Sequence, residues 1–132
     1  MKHIETYEKF NVKNTYIPSY KDAIEICNNN KNFYENKHIV KGFNISTFNY
    51  RIADYEDFDK PIPNKPKING KEMRGLTFVF NKDGSLYKKY LHLQKFWNVN
   101  QVEETSYDKI KNYNIVNVSD KIDGSLVTFI EL

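Results

Sequence analysis

Leu76, Phe78 and Phe80 alternate with Thr77 and Val79, and Asp83-Gly84 follows just before a second β-prone run, Leu86 to Leu93. A period of two puts successive side chains on opposite faces of a strand, and Asp-Gly is a favoured pair for a tight reversal. The spacing predicts an antiparallel hairpin. An isolated hairpin is marginal in water, so further strands or a helix must cover its apolar face.

The rest of the chain offers both. Pro18-Ser19-Tyr20-Lys21-Asp22 reads as a helix start, with Ser19 as N-cap and Asp22 at the third helical position of a capping box. Tyr20, Ala23, Ile24 and Cys27 recur at helical spacing until the Asn28-Asn29-Asn30 run weakens the pattern, which predicts a helix over 20–29, extendable toward Tyr34. Between Ile39 and Ile52 the residues alternate as a strand but change parity. Phe43, Ile45 and Thr47 share one face and Phe48, Tyr50 and Ile52 the other, so a bulge or break is expected near Thr47. Pro61-Ile62-Pro63-Asn64-Lys65-Pro66 cannot sustain a ladder and is a loop. Ser106–Asn112 reads as a short helix, and Ile115–Val118 and Leu126–Ile130 as short strands. The expected class is α+β, mainly antiparallel sheet with one N-terminal helix.

At 132 residues the chain is one domain or part of one. Ten tyrosines, nine phenylalanines and a single tryptophan supply the bulky core that a mean hydropathy of -0.73 would otherwise leave in doubt. Twenty Lys and Arg against 17 Asp and Glu give a net charge of +3, compatible with a nucleic-acid surface but short of a strongly basic footprint. Cys27 is the only cysteine, which excludes an intrachain disulfide and leaves no Cys/His cluster for structural zinc. Met1-Lys2-His3-Ile4-Glu5 lacks the apolar core of a signal peptide, and no run reaches membrane-spanning length. No membrane association is expected, and a reducing, cytoplasmic location fits best.

The segment that bears chemistry is Lys121-Ile122-Asp123-Gly124-Ser125-Leu126. A lysine two residues ahead of an Asp-Gly turn, flanked by β-prone runs, presents an amine to a nucleotide phosphate and suggests covalent nucleotidyl transfer. A decoy at Lys82-Asp83-Gly84 has its lysine directly before the aspartate and reads as the hairpin turn alone. An amine attacks only when unprotonated, which calls for neighbouring cations or partial desolvation, and the charge that builds on phosphate calls for more cations or Mg²⁺. Glu72-Met73-Arg74-Gly75-Leu76 places an arginine at a strand entrance, and Gln94-Lys95-Phe96-Trp97-Asn98 a lysine beside two aromatics. Glu72 reads as a surface carboxylate, with a salt bridge to Arg74 as the alternative.

In order and approximate spacing, these three segments resemble the phage-type ATP-dependent RNA ligases, the family of the tRNA-repair ligase of T-even bacteriophage. The likeness runs from about Asp22 to Leu132 and takes in Ile26-Cys27, Phe33-Tyr34 and Tyr55-Glu56-Asp57-Phe58. It implies an incomplete nucleotidyltransferase (ligase adenylation) domain, with 1–132 as its single N-terminal portion. Lys121 would be the catalytic nucleophile, taking AMP from ATP with Mg²⁺ and passing it to an RNA 5′-phosphate before a 3′-hydroxyl seals the strand. Arg74, Lys95, Trp97, Asp123 and Gly124 would bind the nucleotide, with no metal ligand assigned. Gly124 would let backbone approach closely. Trp97 stands where the family has phenylalanine and could serve the same packing or stacking purpose.

The family also needs motifs downstream of the nucleophile and a C-terminal domain that this chain does not carry. The resemblance therefore implies a poor ligase on its own, one that associates with itself or with a complementary C-terminal ligase fragment. RNA, tRNA among it, is the expected partner, and the host cytoplasm the location if the source is viral. Two alternatives stay open: a noncatalytic RNA-binding remnant, and a DNA ligase or capping-type nucleotidyltransferase.

Overall fold

A computed structural model describes residues 17–93, 95–120, 123–125 and 127–132. The chain forms two compact units, Met1–Gln94 and Lys95–Leu132. The first holds helix α1 (Tyr20–Asn29), strands β1 (Phe33–Val40) and β2 (Phe43–Tyr50), a short helix α2 (Tyr55–Asp59), a 3₁₀ turn (Gly70–Glu72) and strands β3 (Leu76–Phe80) and β4 (Leu86–Tyr90). The four strands make one antiparallel sheet in the order β1-β2-β3-β4. This is the α+β class the pattern predicts.

The capping box forms as read. Ser19 Oγ accepts from the Asp22 amide at 3.2 Å, and Asp22 Oδ2 accepts from the Ser19 amide at 2.9 Å. The helix stops at Asn29 and does not run on to Tyr34, which lies in β1. Asn30 ends it: its amide bonds the Ile26 carbonyl at 2.9 Å, while its side chain accepts from the Asn32 amide and donates to Asp57 at 2.7 Å. Local side-chain bonding outcompetes another turn of helix, as asparagine favours.

The expected bulge near Thr47 is absent, because β2 pairs without interruption from Phe43 to Tyr50. The parity change arises because both faces of β2 are partly buried. Phe48 packs edge-on to Phe78 and to Tyr20 of α1, and Ile45 sits opposite Val79 on the other face. Apolar residues on both faces imitate a slip when read in one dimension. The reversal lies earlier, at Lys41 (φ 51°) and Gly42 (φ 83°), a two-residue turn with both central residues left-handed. The β3–β4 hairpin forms as predicted, although β4 ends at Tyr90, and its register jumps between Val79, paired with Lys88, and Phe80, paired with Leu86.

Phe33 packs edge-on to Phe58, which also meets Tyr50, and this knits α2 to the α1-facing side of the sheet. The proline loop forms turns with a single bridge, Ile62 to Lys65, and buries Ile62 and Ile68. Lys65 reaches back to Asp22 at 2.7 Å and Glu25 at 3.0 Å, pinning that loop to α1.

The second unit contains a 3₁₀ turn (Glu103–Thr105) and a short helix α3 (Tyr107–Ile110), inside the range read as helical. The strands expected at Ile115–Val118 and Leu126–Ile130 do not form: residues 115–118 and 127–130 have no regular structure, and Leu126 is outside the described residues. Val116 is 95% and Phe129 93% exposed. A β-prone run becomes a strand only where a neighbour takes up its N–H and C=O groups, and no described strand pairs with either run.

Candidate functional site

Arg74 belongs to the first unit, at the entrance to β3. The 3₁₀ turn before it closes through the Met73 amide on the Gly70 carbonyl at 2.9 Å, and the Arg74 amide bonds the Glu72 carbonyl at 2.8 Å. Gly75 then adopts a left-handed φ of 88° and donates its amide to the Phe48 carbonyl at 2.8 Å. A Cβ there would stand 3.0 Å from the His92 ring. Arg74 thus precedes a left-handed position that only glycine fits comfortably, two residues before the fully buried strand start at Leu76. Glu72 is half-buried rather than a surface group. Burial pushes its carboxyl up from the usual carboxylate range, with Lys89 opposing. Burial likewise pushes the His92 imidazole down.

In the second unit the structure brings two predicted residues together. The Lys95 ammonium lies 4.5 Å from the centroid of the Trp97 ring, a cation–π contact, and both side chains are half-buried. A hydrogen-bonded loop holds the backbone just beyond them. Asn98 N–H donates to Gln101 Oε1 at 2.9 Å, Thr105 Oγ1 donates to the Asn98 carbonyl at 2.7 Å, and the Tyr107 amide donates to Asn100 Oδ1 at 2.7 Å. Asn100 has a left-handed φ of 61°, which asparagine tolerates better than most residues. Sequence reading missed Asn100 and Thr105 as the residues that fix this segment. The signal was present, since Asn98-Val99-Asn100-Gln101 is a turn-prone polar run.

Asp123 and Gly124 are exposed, and a Cβ at Gly124 would meet nothing within 4 Å. Lys121 lies outside the described residues. The Lys82-Asp83-Gly84 sequence is the hairpin turn it was read as, with Gly84 at φ 86° and Asp83 Oδ1 accepting from the Ser85 amide at 2.9 Å. No helix among the described residues is long and apolar enough to cross a membrane.

Arg74 and the Lys95–Trp97 pair fall in one stretch of sequence that runs on through Asp123 and Gly124, and residues 72–132 match the model of a family described as RNA ligase. The match is consistent with the phage-type RNA ligase family that the sequence resembles. It covers a little under half of the chain, and residues 22–71, where the likeness was also read, lie outside it. No curated protein and no solved structure matches the chain. The match supports a ligase-type function in general terms, with RNA as the substrate class that family implies.

Proposed function

We propose that this chain is the N-terminal nucleotidyltransferase portion of an ATP-dependent RNA ligase. The observation that carries the reading is the RNA ligase match over 72–132, which includes every residue assigned a role: Arg74, Lys95, Trp97, Lys121, Asp123 and Gly124. The cation–π pair of Lys95 and Trp97 adds support, because it holds an ammonium in a fixed place within that segment.

The chemistry follows from the residue types. Unprotonated Lys121 Nζ attacks the α-phosphorus of ATP; a P–N bond forms, the bond to the bridging oxygen breaks, and pyrophosphate leaves with the electron pair. An oxygen of an RNA 5′-phosphate then displaces Lys121 from the adenylate, and an RNA 3′-hydroxyl displaces AMP to form the phosphodiester. Arg74 and Lys95 supply positive charge where the phosphates gain negative charge. Mg²⁺ carried on the ATP phosphates would supply further neutralisation. Trp97 keeps Lys95 in place, Asp123 lies beside the nucleophile in sequence, and Gly124 gives room for close approach of the nucleotide.

The test is covalent labelling of the full chain with ATP labelled at the α-phosphate, in Mg²⁺. The expected product is an acid-labile, alkali-stable protein adenylate that is absent from Lys121→Ala. If wild-type protein takes no label, or Lys121→Ala labels equally well, the proposal fails and a noncatalytic RNA-binding role takes its place.

A further inference from the structure

The two faces of the sheet differ in cover and in where the one strand carboxylate lies. Direct cross-strand pairs share a face, so Phe33, Glu35, Lys37 and Ile39 of β1 lie with Tyr50, Phe48, Ser46 and Asn44 of β2. This is the face that α1 covers, through Tyr20 against Phe48, Phe78 and Phe80. The opposite face carries Tyr34, Asn36, His38 and Val40 from β1, paired with Asn49, Thr47, Ile45 and Phe43. The only carboxylate in the four strands is Glu35. It belongs to the covered face, where it accepts from the Tyr20 hydroxyl at 2.8 Å.

The opposite face therefore has no acidic strand residue. Its centre, at Ile45, Thr77 and Val79, is buried, but the margin along β1 stays open: Asn36, His38 and Arg51 are exposed. Just past the end of β2, the Arg51 guanidinium lies 5.2 Å from the centroid of the Tyr34 ring. Of the three carboxylates that follow within six residues, Asp54 and Asp57 are engaged elsewhere, while Glu56 on α2 is exposed. Asp57 accepts from the side chains of Asn30 at 2.7 Å and Asn32 at 2.8 Å, and Asp54 caps α2. An aromatic ring paired with arginine, followed every second residue by an amide and an imidazole, is the chemistry that sheet-based readers offer to unstacked bases and the phosphates between them. The period of two spaces these side chains about 6.8 Å apart along one face.

We propose that this margin, Tyr34, Asn36, His38 and Arg51, is a contact surface for single-stranded RNA. The choice of RNA as occupant rests on the RNA ligase reading; the placement rests on the Arg51–Tyr34 contact and the exposed residues along β1. Arg51 supplies charge and a planar group for stacking, Tyr34 orients Arg51 and offers its ring edge to a base, and Asn36 and His38 extend the track along β1.

Binding of a fluorescent single-stranded oligoribonucleotide to the full chain, followed by anisotropy at two salt concentrations, tests the idea. Arg51→Gln and Tyr34→Ala should each weaken binding by about tenfold. Arg51→Gln should also flatten the salt dependence by about one phosphate contact, and Tyr34→Phe should bind like wild type. Circular dichroism of each variant guards against unfolding, and adenylate labelling of Arg51→Gln should equal that of wild type. Wild-type affinity in Arg51→Gln and Tyr34→Ala, or no RNA binding by the parent protein, overturns the proposal. So does a dimer that Arg51→Gln dissociates, which would make this margin a self-association edge. RNA binding that depends on Arg51 in a protein taking no adenylate label would refute the ligase reading and leave this surface standing.

Discussion

The Lys95 ammonium lies 4.5 Å from the centroid of the Trp97 ring, so the one tryptophan in the chain reports directly on a cation assigned to phosphate chemistry. At a half-exposed site such a contact contributes about 0.5–1 kcal/mol. Trp97→Phe should retain most adenylate labelling and Trp97→Leu should lower it about two- to fivefold. Lys95→Met should shift the intrinsic tryptophan emission. Unchanged emission would mean that the pair does not persist in solution.

Gly70 is closed to any side chain, because a Cβ there would overlap the ring edge of Phe33 at Cζ. That ring is buried and packs edge-on to Phe58, so neither can yield without opening the core. Gly70→Ala should cost about 1–3 kcal/mol in urea denaturation. A midpoint equal to wild type would show that Phe33 relaxes freely.

Asp22 makes the first unit sensitive to acid. Burial alone would raise its carboxyl, but hydrogen bonds from Lys65 and Ser19 outweigh burial and hold it below the usual carboxylate range. A group whose pKa is lower in the folded state stabilises the fold above its unfolded value, near 3.8, and that contribution is lost as pH falls through the folded value. Thermal stability should therefore drop below about pH 4, and Asp22→Asn should be less stable at neutral pH with a shallower acid limb. Parallel pH profiles for the two proteins would remove Asp22 from the account.

Cys27 should be a sluggish thiol. Burial, with Glu35 adding to it, pushes its pKa up to about 11, so at pH 8 the thiolate fraction is about a hundredfold below that of an ordinary cysteine. Ellman's reagent should react slowly with native protein and rapidly after urea. Fast reaction in the native state would show that α1 opens readily.

Two parts of the fold were legible because their causes are local. The helix over 20–29 follows from a capping box spanning four residues, and the β3–β4 hairpin from alternation closed by Asp83-Gly84. Likewise, Lys82-Asp83-Gly84 could be set aside as a turn from its spacing alone. The reversal at Lys41-Gly42 was misread, because residues buried on both faces of β2 blur the alternation that would have marked the strand ends.

The chemical groups and their order, from Arg74 through the Lys95–Trp97 segment to Lys121, are written in the chain. Local propensity also set the first helix and the central hairpin, since their stabilising bonds close within a few residues. That Tyr34 on β1, an edge strand among the described residues, lies under Arg51, that Glu72 is half-buried, and that Lys95 turns onto Trp97 all depend on the three-dimensional arrangement. The fold also leaves the β-prone run at 115–118 without regular structure. A strand, a buried carboxyl and a cation over a ring each depend on groups brought together by the fold, and composition and spacing do not encode which neighbour arrives.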